Sequence, residues 1–191
     1  MGVGAYVFIG FVLAFLILMI VIYNSLIYKK NQIENIKGSI DALLKKRYDL
    51  IPNLVSTAKV YMDYESKLLR EIVNLRSALY GEKSIEDRLK ASDKLSKLIE
   101  KLFVNFENYP DLKANNSILQ LQLELSDIEE QISAARRAYN QVVTDFNNAL
   151  EMFPSNIIAN ILGYKRQKVF SIPQDEKKNI NIKKLFDSHE S

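Results

Sequence analysis

Apolar and polar positions are arranged in two unlike ways along this chain. From Ala5 to Tyr23 the sequence AYVFIGFVLAFLILMIVIY is apolar throughout, and no charged residue precedes Lys29. Beyond it, apolar residues recur three and four apart, the spacing of helices that each bury one stripe. A run of about 20 apolar residues, rising 1.5 Å per residue, crosses the roughly 30 Å hydrocarbon core of a bilayer. The pattern predicts an all-α protein: one transmembrane helix followed by an antiparallel, up-and-down four-helix bundle.

The predicted division is a short outer N-terminus at residues 1–4, a span at 5–27, a bundle at 28–164 and a polar, loosely ordered tail at 165–191. Ala5, Phe8, Phe11, Leu16, Ile20 and Tyr23 stand for the lipid-facing span. A cleaved secretory signal would carry a basic start, a shorter apolar run and a small-x-small site. Residues 1–4 carry no basic side chain and no A-x-A pattern ends the run, so the span is read as retained. Lys29, Lys30, Lys37, Lys45, Lys46 and Arg47 follow the span and nothing basic precedes it. The positive-inside rule then predicts the N-terminus outside and the rest of the chain in the cytoplasm.

After the span, Ile33, Ile36, Ile40 and Leu43 mark the seam of a first bundle helix. Pro52 disfavours helical geometry at Ile51, so this helix is expected to end or kink near Leu50 or Ile51. A second helix is expected from Pro52 to Tyr80, stopped by Gly81. Its seam row contains one acid, Glu65, and the first helix places Arg47 on its own row. An antiparallel hairpin would bring Arg47 and Glu65 together; the competing reading has both long stems reaching out to solvent. Ser84-Ile85-Glu86-Asp87 resembles a capping box and opens a third helix to about Asn108. Asn115, Asn116 or Ser117 caps a fourth. Ile118, Leu121, Leu125, Ile128, Ile132, Ala135, Tyr139, Val142, Phe146, Ala149 and Phe153 then alternate three and four apart without a break, up to Pro154. A parallel coiled-coil homodimer on this helix is the competing arrangement. Short connections at Pro52, Gly81 and Pro110 favour antiparallel neighbours within one chain.

With two helices leaving the membrane and two returning, Phe153 is predicted near the bilayer surface. Ile157, Ile158, Ile161 and Leu162 then share one face of a short helix, followed by Tyr164, Lys165 and Arg166, an interfacial composition. Either these residues touch the membrane or the emerging span, or they plug the bundle's membrane-proximal end.

Composition narrows the chemistry. The chain has no cysteine, and its single histidine is His189 near the C-terminus. A carboxylate-bridged di-iron site in a helical bundle needs a Glu-x-x-His pair on each of two helices, and none is present. Neither a G-x-S-x-G elbow nor a glycine-rich phosphate loop occurs. Glu129 and Glu130 are adjacent and diverge by about 100° on a helix, so they read as a solvated face. Arg136 and Arg137 flank the seam, where they neutralise acids of neighbouring helices or form a basic binding spot. A net charge of +3, interleaved with acids, predicts no nucleic-acid partner. No cofactor, metal or catalytic activity is expected.

Three segments carry a further signal: KKRYDLIPNLVSTAKVYMDYE at 45–65, NYPDLKANNSILQLQLELSDIEEQISAARRAYN at 108–140 and FNNALEMFPSNIIANILGYK at 146–165. Together they resemble the LemA family, and the similarity runs from about Tyr23 to Lys165. The resemblance implies a single-pass bacterial membrane protein with a cytoplasmic helical bundle and no established activity, cofactor or catalytic residue. Members often end in an aromatic-acidic stretch, where KVFSIPQDEKK stands here. The expected function is a membrane-anchored scaffold or adaptor, with the lipid bilayer and an unidentified protein as partners. The competing function is an outward-facing sensor or ligand-binding bundle.

Overall fold

The computed structural model describes residues 2–62, 66–78 and 84–170, and these are helical apart from short connections and the final stretch. Helix α1 (Val3–Tyr61) has 59 residues, about 90 Å at 1.5 Å each. It is followed by α2 (Ser66–Ala78), α3 (Ile85–Asn105), a single 3-10 turn at Phe106–Asn108, α4 (Pro110–Lys113), α5 (Asn116–Glu151) and α6 (Ser155–Ile161).

One predicted boundary is wrong. Pro52 lies inside α1, so the helix neither ends near Ile51 nor restarts as a second one at Pro52. An internal proline removes a ladder hydrogen bond and crowds the preceding turn, at about 3 kcal/mol. Burial on both sides outweighs that penalty: Tyr48, Ile51 and Leu54 are all sealed in the core, while the Pro52 ring faces solvent. The chain turns only after Met62, and α2 comes back along the Val55–Met62 part of α1 through Leu69 and Val73.

The caps follow the sequence closely. Ser84 Oγ accepts the Asp87 N–H at 3.2 Å, and its hydroxyl donates to Asp87 Oδ2 at 2.7 Å, so Ser84 is the cap of α3. Asn115 is the cap of α5, its Oδ1 accepting from Ser117 N at 2.9 Å and Ile118 N at 3.4 Å. α3 runs parallel to α1, since Asp41 pairs with Arg88 and Arg47 with Ser92 and Ser96. α5 runs antiparallel to α1 along most of its length, from Asn115 beside Tyr61 to Ala149 and Leu150 beside Leu26.

The main core joins Ile40, Leu44, Ile51 and Leu54 of α1 to Ile72 of α2, Leu95, Ile99 and Leu102 of α3, and Ile118, Ile128 and Ile132 of α5. Toward the C-terminal end of α5 the stripe turns slightly: Val143 is sealed and Val142 only half-buried, and Asn147 joins the buried set. A straight helix at 3.6 residues per turn drifts from a strict 3.5 repeat. Phe153 falls beyond the end of α5 and is 79% exposed.

What covers the drifted stripe is the chain after α6. Residues 164–170 run back along α5, so the beginning of the segment expected to be loosely ordered is packed instead. Residues 171–191 lie outside the described residues.

Candidate functional site

Three places in the fold bring polar or exposed apolar side chains together. The first is a charged layer across the middle of the core. Arg47 is only 3% exposed, and its Nη1 lies 2.6 Å from Glu129 Oε2 and 2.8 Å from Ser92 Oγ, with Nη2 2.9 Å from Ser96 Oγ. Ser96 Oγ is also 3.1 Å from Glu129 Oε2. Arg136 of α5 reaches Asp93 of α3 and the Leu89 carbonyl, and Arg88 binds Asp41 at 2.9 Å. Burial lowers the Arg47 pKa and the Glu129 carboxylate opposes the shift. The guanidinium remains charged, because arginine starts so high. Burial also pushes the neighbouring Tyr48 hydroxyl up to about 12.

Arg47 therefore sits inside on its seam row, and its stem does not reach solvent. Its carboxylate is Glu129, a residue the sequence assigns to a solvated face. Glu65 lies outside the described residues. Arg136 takes up the neutralising role between helices, whereas Arg137 is exposed. The signal for Glu129 was its one-turn offset from Leu125 and Ile132, which places it at the margin of the buried stripe rather than opposite it.

The second place is a groove of about 1200 Å³ between α3 and α5. The two helices are bridged at Asp93–Arg136 and Ser96–Glu129 and leave an open channel beyond. Ile99, Phe103 and Leu125 line it, with Arg47 at one end. Val104, Leu119 and Leu123 add exposed apolar edges, Leu123 at 73%. Glu100, Glu107 and Glu130 against the exposed Arg137 make the rim acidic.

The third place is where α6 meets the end of the apolar run of α1. Ile158 (7% exposed) and Ala159 pack on Leu26, with Met19, Ile22 and Leu162 around them. Ile157 and Ile161 face outward, the latter at 76% exposure. The four residues predicted to share one face are thus divided: Ile158 and Leu162 belong to the cluster around Leu26 of α1, and Ile157 and Ile161 are exposed. Tyr164 packs on Phe146 and lies under the Lys30 ammonium, 5.3 Å from the ring centre. Lys165 is exposed, and Arg166 pairs with Glu151. Ala5, Phe8, Phe11, Leu16, Ile20 and Tyr23 are all exposed on α1, the one described helix long and apolar enough to cross a bilayer.

Sequence reasoning missed Asn140 and Asn147. Asn147 donates through Nδ2 to the Gln167 carbonyl and accepts the Gln167 N–H at Oδ1, both at 2.9 Å. Asn140 does the same for Phe170, at 3.0 and 2.7 Å. A heptad of helix covers about 10 Å. Three residues of extended chain cover about the same distance. The two carboxamides therefore clamp one extended segment in register, and Phe170 stacks on Tyr139 with centroids 4.1 Å apart. The available signal was the asparagine pair itself, placed one heptad apart beside the seam.

These features meet a family relationship. The LemA family model matches residues 37–183, which includes the Arg47 layer, the groove, the asparagine clamp and α6. Protein LemA of Metamycoplasma hominis is 29% identical over 165 residues, covering 85% of this chain and 74% of that protein. The matched stretch takes in both the RYDLIPNL segment of α1 and the ARRAYN segment of α5. With the family model matched over most of its length, the chain belongs to the LemA family.

Proposed function

We propose that this protein is a membrane-anchored, non-catalytic scaffold or adaptor that presents a protein-binding surface at the cytoplasmic face. The binding body is an up-and-down four-helix bundle of the membrane-distal part of α1 with α2, α3 and α5. The observation that carries this reading is the open α3/α5 groove: an apolar floor, exposed Val104, Leu119 and Leu123, and an acidic rim. Its occupant is an amphipathic helix of a partner protein, with apolar anchors one turn apart and basic flanks that match Glu100, Glu107 and Glu130. The Arg47 layer supports a structural rather than a catalytic role. Its charges are committed to one another in fixed ion pairs, and a guanidinium held charged supplies no general base. The basic residues after the span support the cytoplasmic face.

Two measurements test the reading. The natural chain has no cysteine, so Gly4→Cys and Lys101→Cys are labelled separately in intact cells with an impermeant thiol reagent. Labelling at position 4 and protection at 101 is expected; the reverse favours the outward-facing sensor. Wild type and Leu123→Glu/Val104→Glu are then purified from solubilised membranes. A stoichiometric partner present with wild type and lost with the variant, at unchanged melting temperature, supports the groove. A partner retained by the variant refutes it.

A further inference from the structure

The membrane-proximal end carries more apolar surface than the fold uses. Ile158 of α6 and Leu162 just after it lie four residues apart and pack in the cluster around Leu26 of α1, which is sufficient to dock a helix of seven residues. Ile157 and Ile161 form a second stripe, also four apart and turned about 100° from the first. Met152 and Phe153, at the corner between α5 and α6, add two more apolar side chains that are mostly exposed. The position of this surface along α1 is informative. α6 packs at the level of Met19, Ile22 and Leu26, where the apolar run ends, and not on the polar part of the helix. The free stripe thus lies at the level where the apolar, largely exposed surface of α1 ends. Lys29 and Lys30 lie just beyond on α1, and Lys165 just beyond α6, at the depth of headgroups.

We propose that the Met152–Phe153 corner and the Ile157/Ile161 stripe form a second membrane contact. They enter the interfacial region of the leaflet from which α1 emerges, and α6 lies in the plane of that interface. The helical body then rests on two feet, and its tilt and rotation about α1 are restrained without a second span. The contact rests on the reading of α1 as a membrane anchor and adds to it the place where the chain returns to the bilayer.

The test uses the full chain, reconstituted in phosphatidylethanolamine/phosphatidylglycerol vesicles, with one nitroxide label at a time. The labels are attached at Val12→Cys, Phe153→Cys, Ile157→Cys, Ile161→Cys and Leu123→Cys, all exposed positions where substitution leaves the core intact. Collision with oxygen, which concentrates in lipid, is compared with collision with a water-soluble nickel chelate. The expected oxygen-to-nickel ratio is several-fold higher at 153, 157 and 161 than at 123, and highest at 12. A ratio at 157 and 161 equal to that at 123, with 12 still in lipid, overturns the second contact alone. An aqueous signal at position 12 overturns the anchor reading as well. Labels at 157 and 161 shielded from both reagents and broadened by a neighbouring label mean that a second copy covers the stripe, which also overturns the proposal.

Discussion

Along one continuous helix, α1 solves two packing problems. Between Leu26 and Ile40 it buries one residue in seven, Leu26, Ile33 and Ile40, because α5 is its main helical neighbour there. From Leu44 to Ala58 it buries Leu44, Arg47, Tyr48, Ile51, Leu54 and Ala58, because α2 and α3 now pack around it as well. One main neighbour needs a narrow seam, whereas several need a wide stripe. The difference also shows in polar chemistry. The wide-stripe region buries the arginine of an ion pair whose carboxylate sits at the edge of the core, and the narrow-seam region closes its open side with an extended segment held by carboxamides.

The largest expected effect contrasts the two regions directly. Ile51→Ala should destabilise the protein by about 3–4 kcal/mol, and Ile33→Ala by only about 2 kcal/mol, because a residue enclosed by several helices leaves a cavity that collapses less. Thermal unfolding of the detergent-solubilised full chain, followed by circular dichroism, reads both. Equal losses would break the comparison.

Next comes the charged layer. Glu129→Gln leaves the buried Arg47 guanidinium without its carboxylate and should cost about 3 kcal/mol, whereas Arg47→Met removes the buried charge and should cost less. If Arg47→Met is the more damaging of the two in the same unfolding experiment, the ion pair itself is the stabilising element.

The wide-stripe region should also be sensitive to alkali. Burial raises the Tyr48 hydroxyl from 10.0 to about 12, so the folded state favours the protonated form. That contribution is complete below pH 10 and is lost as pH rises through 12. Stability measured across this window should fall by about 2 kcal/mol less in Tyr48→Phe than in wild type.

A smaller effect addresses the narrow-seam region. Asn147→Ala removes both hydrogen bonds to Gln167 and should cost about 1–2 kcal/mol. Hydrogen exchange at residues 167–170 should rise while that of α3 stays unchanged. A uniform rise across the protein would show that the segment belongs to the same cooperative unit as the main core. Smallest of all, Leu123→Glu on the groove edge should change stability by less than about 0.5 kcal/mol, because the side chain is already in solvent.

Much of this architecture is visible in local patterns. The apolar run, the caps at Ser84 and Asn115, and the long stripe of α5 each depend on residues within a turn or two of one another. Arg47 could be placed on the seam for the same reason. Its partner could not be identified, because Glu129 is distant in sequence and stands at the edge of a stripe where an acid usually meets water. Pro52 misled because the restriction on the residue before proline is a local preference, and here long-range burial of Tyr48, Ile51 and Leu54 outweighs it. Asn140 and Asn147 had no visible partner at all until the chain reversed after α6.

The sequence by itself determined which segments are helical, which stretch suits a bilayer and which residues line the main seams, because those properties follow from periodicity and from burial summed over neighbouring turns. Only the tertiary structure decided where α1 stops, what neutralises Arg47, how α3 and α5 part to leave a groove, and how the apolar residues at α6 are divided between α1 and the outside. Each of these depends on a contact between segments far apart in the chain, and periodicity holds no information about distance across the fold.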